Sequence, residues 1–176
     1  MEIFLPTIAD TSILARLIDN GLPPKSEQPV SYAGMIVVKP WGYECQLFDS
    51  GDYCVWLMCL RPGTSTSLHC HQRKQAMFVP LTDGIQFNML GKHFLLTEAI
   101  AVGKGRFHGQ QNVSDHDTFL LECETPSEKT DLVRYRDSYH REGKPYEGKA
   151  NMLSFADATT VLDMPSVLKM LIGRAA

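Results

Sequence analysis

Gly63-Thr-Ser-Thr-Ser-Leu-His69-Cys-His71 is the stretch on which the reading of this chain turns. Pro62-Gly63 supplies a turn, and residues 66–70 read as a short strand after it. Side chains two apart on a strand point the same way, so His69 and His71 face one side. Their spacing is one that a single metal ion bridges. Cys70, between them, points to the opposite face. A third imidazole, His108, follows the turn-rich Gly103-Lys-Gly105-Arg-Phe and precedes Asn112, 37 residues beyond His71. An isolated HxH pair would be weak evidence, being equally a coincidental or half-exposed pair. A third His on a separate turn strengthens it. Three imidazoles suit Zn, Fe, Ni or Cu, with Mn open if oxygen ligands join.

Outward from this stretch, the chain keeps a strand-and-turn grammar from Gly34 onward. Candidate strands are 35–39, 43–49, 53–60, 66–70, 76–81, 85–90, 93–96, 98–102 and 118–124. Pro40, Ser50-Gly51-Asp52, Pro62-Gly63, Asp83-Gly84, Gly91 and Gly103 punctuate them. Many short strands with regular turns predict a β-sandwich or barrel. Before it, Ile8, Ile13, Leu14, Leu17 and Ile18 form a helical stripe, stopped by Asn20-Gly21 and Pro23-Pro24. Residues 22–33 read as a linker or extended arm. After it, 125–150 is polar and charged with interleaved tyrosines. Asp163-Met-Pro-Ser166 then opens a short helix with Val167, Leu168, Leu171 and Ile172 on its apolar face. The expected division is an N-terminal helix and arm (1–33), a barrel (34–142) and a C-terminal tail (143–176).

Composition narrows the function classes. At 176 residues the chain is long enough for one full core without disulfides. With 44% apolar and 21% charged residues it is not a disordered chain. A net charge of −3 gives no basic face for nucleic acid. No apolar run reaches membrane-spanning length, and the first residues lack the basic region of a secretory signal. Five cysteines with no CxxC pair read as reduced, buried and cytoplasmic.

The motifs carry a family resemblance. Residues 63–84 resemble the first cupin motif, with glycine, HxH and a closing glycine. Residues 102–112 resemble the second, with Gly105, His108 and Asn112 matching and Gly103 in place of the usual proline. The resemblance implies an all-β cupin jelly roll (a double-stranded β-helix) that holds one metal ion inside through three His and a Glu. Here Gln75 stands at the Glu position, so the implied ligand set is His69, His71, Gln75 and His108. Lys39-Pro-Trp41-Gly-Tyr-Glu44 resembles the opening of the cupin domain of type II mannose-6-phosphate isomerases. Asp131-Leu-Val-Arg134-Tyr-Arg-Asp137-Ser-Tyr139-His-Arg141 is similar to that domain's closing segment, with His140 replacing a glycine. The resemblance spans about residues 38–142. Too few residues precede Lys39 for the guanylyltransferase domain often fused to such cupins.

What the resemblance implies is a metal-dependent aldose–ketose isomerase for a sugar phosphate. The ion would be Zn, Fe, Mn or Ni. Arg134 and Arg141 match the closing segment and suit a phosphate or carboxylate; Arg136 reads as a solvated residue. Arg106, two residues before His108, is expected to aim into the barrel with it. Trp41 is a packing residue or a sugar-stacking platform. Glu44, Glu98, Glu122 and Glu124 are the candidate bases; Glu122 is grouped with Arg134 and Arg141 as the catalytic set. His93, His116 and His140 read as exposed or structural. Two rivals stay open: a mononuclear Fe or Cu oxygenase, and a non-catalytic cupin binding a sugar or small acid. The expected partner is a small molecule, a sugar phosphate or other small anion, and the expected assembly a homodimer.

Overall fold

Thr7 begins the structure's one described helix with its side chain. It accepts from the Asp10 amide while Asp10 answers to the Thr7 backbone, a capping box. The helix, α1 (Ile8–Asp19), stops at Asn20, and Gly21 follows with φ 83°. The structure, a computed structural model, describes residues 1–21, 31–144, 146 and 151–155. The expected C-terminal helix lies outside these residues, as does most of the 22–33 arm.

Thirteen strands are described. They are β1 (Glu2–Phe4), β2 (Met35–Lys39), β3 (Gly42–Asp49), β4 (Cys54–Leu60), β5 (Leu68–Cys70), β6 (Gln75–Pro80), β7 (Ile85–Met89), β8 (Lys92–Leu95), β9 (Ile100–Val102), β10 (His108–Asn112), β11 (Thr118–Thr125), β12 (Val133–Arg136) and β13 (Met152–Ser154). They form an eight-stranded sheet, β1-β9-β6-β11-β4-β3-β2-β13, and a five-stranded sheet, β12-β5-β10-β7-β8. The sheets face each other as a cupin-type jelly roll. Nine strands fall where the sequence pattern puts them. The other four, β1, β10, β12 and β13, lack an alternating apolar signal. β10 is His-Gly-Gln-Gln-Asn, and β12 sits in a run of charge. β1 pairs in parallel with β9, Glu2 opposite Ile100, so the N-terminal segment contributes a strand as well as a helix.

The interior is apolar at one end and charged at the other. On β11 the period of two sends Leu120, Glu122 and Glu124 to the same face. Leu120 joins Phe4, Leu60, Phe78, Ile85 and Phe87 in the main core. Glu122 and Glu124 continue that face into a cavity at the charged end. Outside the small sheet, α1 lays Ile13, Leu14 and Leu17 over Cys70, Phe107 and Val133. Cys70 therefore does point away from the histidines. The five cysteines carry no disulfide, and all but Cys123 are fully buried.

Candidate metal centre

β5 and β10 place the histidines. The two strands pair so that His69 stands directly opposite His108. Gly109 permits this, since a Cβ there would lie 2.6 Å from the Ser67 carbonyl oxygen. His71 follows just past the end of β5. The three ring centroids stand 4.7, 5.0 and 5.3 Å apart.

Each ring is oriented through Nδ1. His69 donates to the Ser67 carbonyl at 2.8 Å, His108 to the Arg106 carbonyl at 2.8 Å, and His71 to the Asp131 carbonyl. A carbonyl only accepts, so Nδ1 carries the proton and Nε2 keeps its lone pair. Nε2 of His71 and of His108 are buried with no hydrogen-bond partner. Unpaired buried nitrogens are costly. Here they meet with His69 as a set whose ligand atoms lie within 4.8 Å of one another. That donor set fits a divalent transition ion, with backbone carbonyls as the supporting layer that metal-binding histidines normally have. Burial and mutual proximity hold His69 and His71 well below the usual imidazole value. Burial above all lowers His108, to about 4. All three are neutral at pH 7, the form that ligates.

Asp131 builds the corner around His71. Besides its carbonyl, its carboxylate takes the amides of Gln72, Arg73 and Lys74 at 2.9, 2.6 and 2.8 Å. That turn decides which side chain enters the cavity. Lys74 goes in, 1% exposed, with its ammonium on Glu124. Gln75 comes out exposed on β6, opposite Thr125, and is absent from the cavity wall. The expectation of Gln75 as a metal ligand is thus corrected: strand alternation sends it to the far face of the large sheet.

The cavity is lined by the His69–His71 pair together with Trp41, Glu44, Lys74, Glu122, Glu124, Lys129, Arg134 and Arg141 among others. Trp41 is both a packing and a cavity residue. Gly42 behind it has φ 146°, and a Cβ there would sit 2.0 Å from the Cys59 carbonyl oxygen. Lys39 pairs with Glu44 at 3.3 Å and lies 3.7 Å over the Tyr146 ring. Lys129 lies 3.9 Å over Trp56 and within 4 Å of three carboxylates, Glu44, Glu122 and Glu124. Burial alone would raise Glu124. Lys129 and Lys74 overcome it and bring it down to about 2. Burial and the Glu124 charge raise Glu122 to about 7. Arg141 is gripped by Asp137 at 2.8 and 2.7 Å, and Arg134 donates to the Lys144 carbonyl at 2.8 Å. His140, beside Arg141, has φ 56°, a conformation that favours glycine.

Two further expectations are corrected. Arg106 does not face the cavity. It binds Asp10 of α1, because residues 106 and 107 precede β10 and do not alternate with it. Glu98 is exposed on a turn and is no base for this site. Lys74 and Lys129 escaped the sequence reading because lysines in charged loops ordinarily point to water. Asp131 was legible only as the start of the closing segment.

The fold is a cupin-type jelly roll, and three histidines whose ligand atoms could hold a metal ion meet in one corner of it. No protein-family model and no curated protein sequence matches the chain. Among solved structures, the capsular polysaccharide assembling protein CapF from Staphylococcus aureus aligns at TM-score 0.52 and 17% identity, over 61% of this chain and 33% of that one. An uncharacterized conserved protein with a double-stranded β-helix domain, from Klebsiella pneumoniae, aligns at TM-score 0.47 and 14% identity, over 68% and 95%. A sugar phosphate isomerase of the cupin superfamily from Silicibacter pomeroyi aligns at TM-score 0.47 and 19% identity, over 61% and 68%. The chain spans about a third of the length of CapF. At these identities the CapF likeness establishes the fold alone.

Proposed function

We propose that this chain is a metal-dependent cupin enzyme that isomerises a small anionic sugar, in the manner of a mannose-6-phosphate-type aldose–ketose isomerase. The observation that carries the reading is the convergence of three neutral imidazoles, two of them lining a cavity that also holds three glutamates and several cations. Lysines 39, 74 and 129 with arginines 134 and 141 outnumber glutamates 44, 122 and 124, so the wall favours an anion. A divalent Zn, Fe, Mn or Ni ion on His69, His71 and His108 would supply Lewis-acid polarisation of a carbonyl oxygen. Arg134 and Arg141 would seat the phosphate. Glu122, on the opposite sheet, would carry the proton between adjacent carbons of the sugar. Trp41 would close the sugar's flank against water. The reading includes a cytoplasmic homodimer, supported by the reduced cysteines and the exposed Ile3, Leu5 and Ile8.

The test is incubation of the protein, loaded in turn with each of the four ions, with mannose 6-phosphate and other aldose phosphates in D₂O. Ketose product carrying solvent deuterium is expected, and Glu122→Gln should abolish it. No product or exchange with any ion and any sugar phosphate overturns the reading. The three-nitrogen set, with no carboxylate from β6, is the observation that favours an oxygenase as the second reading. Oxygen uptake by the Fe-loaded protein with a small acid would select it.

A further inference from the structure

Gln75 leaves the first motif without its carboxylate, yet the cavity offers another from the opposite sheet. Ligand atoms of His71, Glu122 and Glu124 lie within 4.8 Å of one another, as those of the three imidazoles do. The two sets share His71, whose Nε2 is buried and has no hydrogen-bond partner. Two donors on one tetrahedral first-row ion stand about 3.4 Å apart, so an ion bound at His71 would draw the two sets together.

The two glutamates are not equivalent. Oε1 of Glu124 is taken by the ammonium groups of Lys74 and Lys129. Its Oε2 receives only the Cys54 thiol at 3.3 Å, and a thiol is a weak donor. Trp56 in turn donates to that sulfur at 3.1 Å, fixing it. Glu124 is therefore a carboxylate with one oxygen saturated by two ammonium groups and the other presenting a lone pair. Among the described residues Glu122 has one ion-pair partner, Lys129, at 3.8 Å, a looser hold than that on Glu124.

We infer that Glu124, projecting from β11 on the sheet opposite the histidines, is the fourth ligand of the metal centre through its Oε2. The carboxylate comes not from β6, the strand after the HxH pair, but from its neighbour β11 in the same sheet, with Lys74 and Lys129 on its other oxygen. The division of labour follows: Glu124 binds the ion and Glu122 handles the proton. The inference rests on the three-histidine centre proposed above and adds the charge that centre lacks.

The test measures Co²⁺ affinity by chelator competition and the visible Co²⁺ spectrum, with no substrate present. The variants are Glu124→Gln, Glu124→Asp, Glu122→Gln, Gln75→Glu and His69→Ala. Glu124→Asp keeps a charge for the two buried lysines, so it remains informative if the Gln variant does not fold. Both Glu124 variants should bind Co²⁺ at least ~10-fold more weakly, the lower end of what support-residue changes cost. Both should also alter the spectrum. Gln75→Glu and Glu122→Gln should leave affinity within twofold. Folded Glu124 variants with wild-type affinity and spectrum overturn the inference while leaving the centre intact. Loss confined to Glu122→Gln overturns it in favour of the other glutamate. Wild-type Co²⁺ binding by His69→Ala overturns the centre itself.

Discussion

Asp10 with Arg106, where α1 meets the barrel, and Glu124 with Lys74 and Lys129, inside the cavity, are both buried ion clusters. Their surroundings separate them. Asp10 accepts from the Thr7 amide at 2.7 Å, the Thr7 hydroxyl at 2.5 Å, the Phe107 amide at 2.9 Å and Arg106. Oδ2 takes three of these bonds and Oδ1 the Phe107 amide, and neither Asp10 nor Arg106 lines the cavity. The cluster fastens a helix to a sheet. Glu124 instead shares its cavity with unpartnered imidazole nitrogens and a second carboxylate. Burial of charge alone thus marks no site. Convergent unpartnered lone pairs beside it do, because imidazole Nε2 can take a metal ion, whereas the Arg106 Nε of the anchor, also buried and unpartnered, is an N–H with no lone pair to offer.

The largest effect that would break this contrast is at the histidines. A His69→Ala, His71→Ala double variant should lose transition-metal binding outright, by metal analysis after dialysis, while its circular dichroism stays that of the parent. Retained ion would show that the imidazoles are structural, like Asp10.

Acid should take the two clusters apart in sequence. In the metal-free protein the three imidazoles have folded values below their unfolded value of ~6.5. As pH falls below ~6.5 the unfolded chain takes up three protons that the folded chain resists. Glu122, raised to about 7 against ~4.3 unfolded, takes up one proton when folded and offsets one of the three. The net is two protons favouring unfolding, so stability falls from about pH 6.5 towards 4. Burial by itself would raise Asp10, but bonds from Thr7, Phe107 and Arg106 leave it lowered. Its contribution is whole above ~3.9 and is lost only as pH falls through its lower folded value. Urea midpoints measured from pH 8 to 3 should show the first decline, and hydrogen exchange should show α1 detaching later. Midpoints level between pH 7 and 4.5 would contradict the buried neutral histidines.

Smaller again is the anchor by itself. Asp10→Ala leaves Arg106 buried and uncompensated, a loss of about 3–5 kcal/mol in urea unfolding. Co²⁺ affinity of the folded fraction should not change, because the anchor lies outside the cavity. A matching loss of affinity would mean that α1 and the centre are coupled through the Arg106 carbonyl on His108.

Residues within a few positions of one another were the legible ones. The HxH pair, the turn-borne His108, nine strands and α1 follow from periodicity and turn chemistry over short windows. Trp41, Glu122, Arg134 and Arg141 were expected in the site, and all line the cavity. Arg106 was misplaced by assuming that alternation continues through a turn, and Gln75 by carrying the motif's Glu position over to it. Arg106 lies ahead of β10, and the Asp131 carboxylate resets the chain between His71 and Gln75.

The sequence by itself determined a barrel of short strands carrying three convergent imidazoles, because strand period and glycine turns act locally and need no partner. Only the tertiary structure decided which charges share the cavity. Lys74, Glu124 and Lys129 come from a loop, a strand and another loop, up to 55 positions apart. Burial, which removes water as the alternative partner, is what makes them choose one another.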